Sequence, residues 1–146
     1  MKFEHTITIP AAIEEVRTFF DDVPAVAACV PGVEGVTQVE PDVYDGRVRL
    51  RVGPLAFTIA GRAHVERAED GAWRMRGEGR DSRVGAGVSA ALEARLREID
   101  AGTTEVEATA DLQFSGRLGE LGQPLIRRKA DSMLEEFTEN LQQAFA

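Results

Sequence analysis

Along Lys2 to Ile9, Phe3, His5, Ile7 and Ile9 fall on one side and Lys2, Glu4, Thr6 and Thr8 on the other. A period of two predicts a half-buried strand, ended by Pro10. The period then changes. Ile13, Val16, Phe19 and Phe20 against Glu14, Glu15 and Arg17 predict a short helix over Ala11 to Phe20, closed by Asp21-Asp22. Pro24 suits the first position of a second short helix, reaching Ala28 or Cys29, which Pro31-Gly32 breaks. Alternation resumes over Val33 to Glu40, Val43 to Val52, Leu55 to Arg67, Trp73 to Arg80, Val84 to Ile99 and Thr103 to Ser115. Turn residues lie between these runs: Pro41-Asp42, Gly53-Pro54, Glu69-Asp70-Gly71, Asp81-Ser82 and Asp100-Ala101-Gly102. Seven strands with short turns predict an antiparallel meander. Ile99 is out of phase with Leu92, Ala94 and Leu96, which predicts a bulge near Glu98.

The last stretch, Gly116 to Ala146, is the one long helical pattern. Leu118, Leu121, Leu125, Ile126, Ala130, Met133, Leu134, Phe137, Leu141 and Ala144 recur at three- and four-residue steps. Proline at 124 cannot donate to Glu120. With Gly119 and Gly122 beside it, it predicts a short turn over Leu118 to Leu121 and a main helix starting at Pro124. The break serves as a helix start with a capping loop or as a hinge that opens what the helix covers.

A helix this apolar must lie on the sheet, and the strand residues facing it are often small. Gly61, Ala63, Gly77, Gly79, Ala90, Ala94, Ala108 and Ala110 all fall on the inward phase. Interiors are normally close-packed, so such a face either draws the helix close or leaves a ligand-sized apolar space. Strand glycines also mark bends, which is the plainer account of Gly77 and Gly79. The outward phase carries Arg47, Arg49, Arg51, Arg62, Arg74, Arg76 and Arg80. That is either a solvated surface with cross-strand partners such as Glu66, Glu78 and Glu93, or a docking patch for an acidic partner or an anionic membrane.

The composition narrows the class of function. The chain has 146 residues, 43% of them hydrophobic and 29% charged, which fits one domain with its own core. No run approaches the roughly 18 apolar residues of a membrane span, and the N-terminus begins a strand pattern directly, without a signal peptide. A single cysteine excludes an internal disulfide framework. The net charge of -8 argues against a nucleic-acid partner. His5 and His64 have no metal-ligand spacing, so no metal is expected. Cys29 sits at a helix C-terminus, where nothing activates a thiol. Gly85-Ala86-Gly87 lies within strand-like alternation, not at the start of a helix. No nucleophile with a matched base is visible, and no catalytic residue or cofactor is expected.

The order of elements resembles the helix-grip order of the START-like (SRPBCC) superfamily. Three stretches resemble the CoxG-like family of carbon monoxide dehydrogenase subunits: Met1-Lys2-Phe3 through Ile9-Pro10-Ala11; Ala27-Ala28-Cys29-Val30-Pro31-Gly32-Val33-Glu34; and Phe114-Ser115-Gly116-Arg117-Leu118 with Leu121-Gly122 and Phe137-Thr138-Glu139-Asn140-Leu141. The resemblance implies an α+β helix-grip fold, a seven-stranded curved antiparallel sheet around a long C-terminal helix with two short helices after the first strand. It also implies a noncatalytic accessory protein of a carbon monoxide dehydrogenase or related molybdenum hydroxylase. Such proteins are associated with recruiting the enzyme to the membrane by handling a quinone-like lipid. Some members carry a C-terminal extension that reaches toward a membrane. This sequence stops at Phe145-Ala146, so membrane contact is expected from the folded surface or a partner. The expectation is a cytoplasmic protein, peripheral at the inner face of the membrane.

The residues expected around an apolar ligand are Phe57, Trp73, Met75, Leu92, Phe114, Leu125, Met133 and Phe137. Gly77, Gly79, Ala90 and Ala108 are expected to leave the space. Two rival readings remain. One is a START-like cyclase, aromatase or dehydratase acting on a hydrophobic ketone, which needs two of His5, Tyr44 and Thr104 within hydrogen-bond reach inside the pocket. The other is an interaction module that uses only the arginine face.

Overall fold

The computed structural model describes all 146 residues. Strand β1 (Lys2–Ile9) leads into the short helices α1 (Ile13–Asp21) and α2 (Val23–Ala27). Strands β2 (Val33–Glu40), β3 (Val43–Val52), β4 (Leu55–Arg67), β5 (Trp73–Asp81), β6 (Ala86–Asp100) and β7 (Thr103–Ser115) follow. The turn of helix α3 (Gly116–Gly119) and the long α4 (Gln123–Gln143) close the chain. The sheet is one antiparallel surface in the order β1-β7-β6-β5-β4-β3-β2. It is a meander from β2 to β7, with β1 laid on the far edge of β7. The fold is therefore the antiparallel meander with a long final helix that the period changes predict, in the helix-grip order that the resemblance implies. Register shifts between Glu98 and Asp100, as expected from the phase of Ile99.

Several boundaries differ from the pattern: α1 runs Ile13–Asp21 where Ala11 to Phe20 is expected, and α3 is Gly116–Gly119, two residues before the expected turn over Leu118 to Leu121. Pro24 is the second residue of α2, whose first turn is capped by Asp22: its Oδ1 accepts from the Ala25 N–H at 3.2 Å. Pro124 likewise falls second in α4, after Gly122 at φ 88°. Strand β6 begins at Ala86 and not at Val84, because residues 82–85 form a loop around the Asp81 side chain. The Thr58 N–H donates to Asp81 Oδ2 at 2.8 Å and the Arg83 N–H to Oδ1 at 3.1 Å.

The glycines have unequal roles. Gly46, Gly61 and Gly79 stand opposite one another on β3, β4 and β5. A Cβ on Gly61 would overlap the Glu78 carbonyl oxygen, and one on Gly79 would lie 2.6 Å from Ile59 Cγ2. At Gly61 the β5 backbone comes too close for any side chain, and at Gly79 a side chain would have to displace the Ile59 methyl, whereas a Cβ on Gly46 would make only ordinary contact with Val36. Gly79 therefore supplies curvature and not free space, contrary to the expectation for that residue. At Gly77 a Cβ would meet Met75 Sδ at 3.3 Å, a flexible neighbour.

The core has two parts. The lower cluster joins Ile7, Ile9, Ala11, Val16, Phe20, Cys29, Val106 and Leu141 where β1, α1 and the end of α4 meet. The upper cluster joins Val52, Phe57, Ile59, Ala86 and Leu118 beneath the β3–β4 turn, the β5–β6 loop and α3. Helix α4 runs from one to the other beside β1. Ile126 is buried near its start and Leu141 near its end.

Candidate apolar trough and its polar surround

Between the two clusters the inward face of the sheet is only half covered. Ala63, Met75, Gly77, Ala90, Ala108, Ala110 and Leu112 are half-buried, and Leu92, on the same phase, is 38% exposed. Cross-strand register groups them: Met75 stands opposite Leu92, Gly77 opposite Ala90, Leu92 opposite Ala110, and Ala90 opposite Leu112. On the helix, Ala130 and Met133 are half-buried along this stretch, and Leu134, also half-buried, borders the β1 seam. These residues outline an apolar trough whose small side chains leave its floor open.

The eight expected ligand-lining residues divide by position. Met75, Leu92 and Met133 lie along the trough. Phe57 is 2% exposed and belongs to the upper cluster, against which Phe114 and Leu125 pack, while Phe137 packs against the lower one. These four close its ends. Trp73 is committed elsewhere. Its indole Nε1–H donates to Asp21 Oδ1 at 2.9 Å, its ring lies 5.6 Å from Phe20, and the Arg67 guanidinium stacks 4.6 Å above it. Asp21 also accepts from Arg67 at 3.2 Å. The group fastens the end of α1 to the β4–β5 hairpin. It spans 52 residues of sequence between Asp21 and Trp73, and no local pattern announces it.

Helix α4 is held on β1 by polar bonds in its second half. His5 Nε2 and Thr138 Oγ1 are 2.9 Å apart, while Thr138 Oγ1 donates to the Leu134 carbonyl at 2.8 Å. The hydroxyl proton being used, His5 donates through Nε2–H. Asn140 Nδ2 donates to the Cys29 carbonyl and Gln142 Nε2 to that of Thr8, each at 3.0 Å. At the other end the helix starts on Gly122, and Leu125 rests on Gly53, where an added Cβ would come within 3.1 Å of Leu125 Cδ2. The clasp and the glycine start lie at opposite ends of the trough wall.

The polar side chains that a ketone-processing enzyme needs are not assembled. Thr104 Oγ1, fully buried, donates to the Ala11 carbonyl at 2.8 Å. His5 is paired with Thr138, and Tyr44 on β3 makes no side-chain hydrogen bond, so no two of the three bond to each other. No three His, Cys, Asp or Glu side chains are placed to hold a metal ion. Burial pushes the Cys29 thiol up from its ordinary pKa, and its Sγ–H points to the Ala25 carbonyl.

The arginine face is partly neutralised. Arg62 forks onto Asp45 at 2.7 and 3.1 Å. Arg74 and Arg95 each bridge Glu93 and Asp70 at 2.8 to 3.3 Å. Hydrogen bonds from Arg74 and then Arg95 hold the Glu93 carboxyl below its ordinary pKa, and the Asp45 carboxyl is lowered by its bond from Arg62. Of the expected partners only Glu93 takes part. Glu66 and Glu78 form no ion pair; Arg47 pairs with Glu34, Arg62 with Asp45, and Arg74 with Asp70 as well as Glu93. Arg49, Arg51, Arg76 and Arg80 have no carboxylate partner. An open basin of about 900 Å³ lies on this face, over the glycine row, with Arg47, Arg62, Glu78, Arg80, Ser89 and Gln113 among its walls. A second depression, about 460 Å³, marks the β1–α4 seam at Phe3, His5 and Arg127. Of the eight expected ligand residues only Phe114 touches either one.

A family model describing CoxG of carbon monoxide dehydrogenase matches residues 6–146. No curated protein matches the sequence significantly. Among solved structures, a conserved protein from Geobacillus kaustophilus superposes with a TM-score of 0.88 at 16% identity, covering 99% of this chain and 95% of the other. A START superfamily protein from Mycobacterium smegmatis gives 0.75 at 12% identity, covering 99% and 96%. The Zhui aromatase/cyclase from Streptomyces sp. R1128 gives 0.62 at 20%, covering 99% and 90%. At these identities the structures are similar in fold alone.

Proposed function

The chain belongs to the CoxG family of carbon monoxide dehydrogenase subunits, and from that premise we propose a noncatalytic accessory protein of a carbon monoxide dehydrogenase or related molybdenum hydroxylase. It holds an apolar, lipid- or quinone-like molecule in the trough beneath α4 and aids recruitment of the enzyme to the membrane. The observation that carries this reading is the split core. A half-open apolar floor between two packed clusters leaves Leu92, Met75 and Met133 partly exposed to water, and burying apolar area is the main source of affinity for such a molecule. His5 being bonded to Thr138, Thr104 to the Ala11 carbonyl and Tyr44 to neither, the geometry favours carriage over ketone chemistry. No helix is long and apolar enough to cross a membrane, so recruitment would work through the folded surface or a partner.

The test is occupancy of the trough. Ala108→Leu or Gly77→Leu fills the floor and is expected to abolish uptake of an apolar fluorescent probe while the circular dichroism spectrum stays that of the parent. Native mass spectrometry and solvent extraction of the parent protein should release an apolar molecule. A protein that never carries one, and takes up no probe, refutes the carrier reading.

A further inference from the structure

The chain holds three methionines, and the fold brings all three to the trough. Met75 lies on its floor, on β5 opposite Leu92. Met133 is half-buried on α4 along the same stretch. Met1 pairs with Leu112 at the β7 border: its amine donates to the Leu112 carbonyl at 2.6 Å, and its carbonyl accepts the Leu112 N–H at 2.8 Å. No methionine belongs to either packed cluster. The thioethers are confined to the part of the interior that is not close-packed. Neighbours fix the position of one sulfur. A Cβ placed on Gly77 would lie 3.3 Å from Met75 Sδ and 3.7 Å from Ala63 Cβ. The Met75 side chain therefore leans along its own strand and rests over Gly77, which Ala63 and Ala90 flank in register. Unbranched and flexible, it fills that space and can swing off it. The floor residues Ala63, Ala90, Leu92, Ala110 and Leu112 carry no polar side-chain atom.

From this placement we propose that Met75 is a reversible oxidation site through which peroxide closes the trough. The Met75 sulfur attacks one oxygen of hydrogen peroxide, and the O–O bond breaks as the S–O bond forms. Sulfur is oxidised by two electrons to the sulfoxide, and the second oxygen leaves with both hydrogens as water. Met75 is half-buried in an open trough, so peroxide reaches it. The other sulfurs are better shielded at two of the three remaining positions. The Met1 side chain is 6% exposed, and Cys29 is buried in the lower cluster with its thiol kept protonated. A sulfoxide is polar, and on this floor its oxygen finds no side-chain donor. An apolar molecule covering it would leave that oxygen unpaired, which weakens binding. Methionine sulfoxide reductases, one for each sulfur epimer, return the thioether. The proposal rests on the trough reading above and names how that site is regulated.

Peroxide titration tests it, read in parallel by peptide mass mapping and by binding of phenylnaphthylamine, a neutral apolar fluorophore. Met1 and Cys29 are expected to oxidise more slowly than Met75. Affinity for the fluorophore should fall roughly tenfold or more in step with Met75 sulfoxide, while the circular dichroism spectrum stays that of the parent. A mixture of the two reductases should restore it, and preloaded fluorophore should slow Met75 oxidation. Met75→Leu should bind the fluorophore equally before and after peroxide, whereas Met133→Leu should lose affinity as the parent does. Unchanged affinity once Met75 is oxidised, an equal loss in Met75→Leu, a Met75 that resists peroxide, or a loss that comes only with the folded spectrum overturns the proposal. Should Met75→Leu not fold, the reductase arm decides: affinity that stays low after the thioether returns also overturns it. The untreated parent reads the trough alone. Binding that survives Met75 oxidation removes the switch and leaves the carrier reading, while no binding before peroxide removes both.

Discussion

Asp81 is a buried carboxylate on a surface strand end, and its two oxygens are spent on backbone: Thr58 N–H on one side, Arg83 N–H on the other. The bond from the Thr58 N–H, helped by Arg83, holds its carboxyl below the ordinary carboxylate range. A group with a depressed folded pKa adds stability above its unfolded pKa, about 3.9, and loses it as pH falls through the folded value. Asp81→Asn should therefore lower the melting temperature at pH 7. The gap between parent and variant should begin to narrow as pH drops below about 4 and should close only below the depressed folded value, where the Asp81 carboxyl is protonated and both side chains are neutral. Melts at pH 7, 5 and 3 check this, and a gap that does not change with pH removes the charge argument. The sequence marked Asp81-Ser82 as a turn but could not show the aspartate folded inward, because Thr58 lies 23 residues away. The same distance problem hid the Asp21 bond to Trp73. Inward phase alone placed that indole among the expected ligand residues.

At the scale of elements, the strands were legible because turn residues interrupt alternation at nearly every connection. The split before α4 was legible because a proline and a glycine adjoin there. What alternation does not encode is curvature. Gly61, Gly77 and Gly79 look alike in sequence as inward strand glycines, yet they face a carbonyl oxygen, a flexible thioether and an isoleucine methyl respectively. Alanine at each should separate these roles in urea unfolding. Gly61→Ala must move backbone and should cost about 3 kcal/mol or more. Gly79→Ala displaces one side chain and should cost about 1–2 kcal/mol. Gly77→Ala should stay within about 1 kcal/mol, since Met75 can turn aside. If Gly77→Ala proves as damaging as Gly61→Ala, the trough floor is as tightly bent as the row above it and offers no room.

The whole molecule is two packed ends joined by one sheet and one helix, and that division bears on stability as well as binding. The lower end combines Ile7, Ile9, Val16 and Leu141 with the bonds that tie α4 down: His5 to Thr138, Asn140 to the Cys29 carbonyl and Gln142 to the Thr8 carbonyl. The upper end relies on Phe57, Ile59 and Leu118, with α4 entering from a glycine. Residues 130–134 of the helix span the interval. Ala130, Met133 and Leu134 are half-buried there, and no side chain of the span bonds to the sheet. Local opening is cheapest where few apolar contacts oppose it. In the ligand-free protein, amides of 130–134 should exchange faster than those of 137–143. An apolar molecule in the trough touches this span and binds only the folded state. At about a hundredfold excess over its dissociation constant it adds about 2.7 kcal/mol, which for a domain of this size is a rise of about 5–10 °C in melting temperature. Protection should rise first in 130–134 and in the facing rows of β5 and β6, with the clasped end unchanged. Hydrogen exchange with and without probe measures both. A ligand that slows exchange evenly along α4, or only at the β1 seam, binds somewhere other than the gap between the clusters.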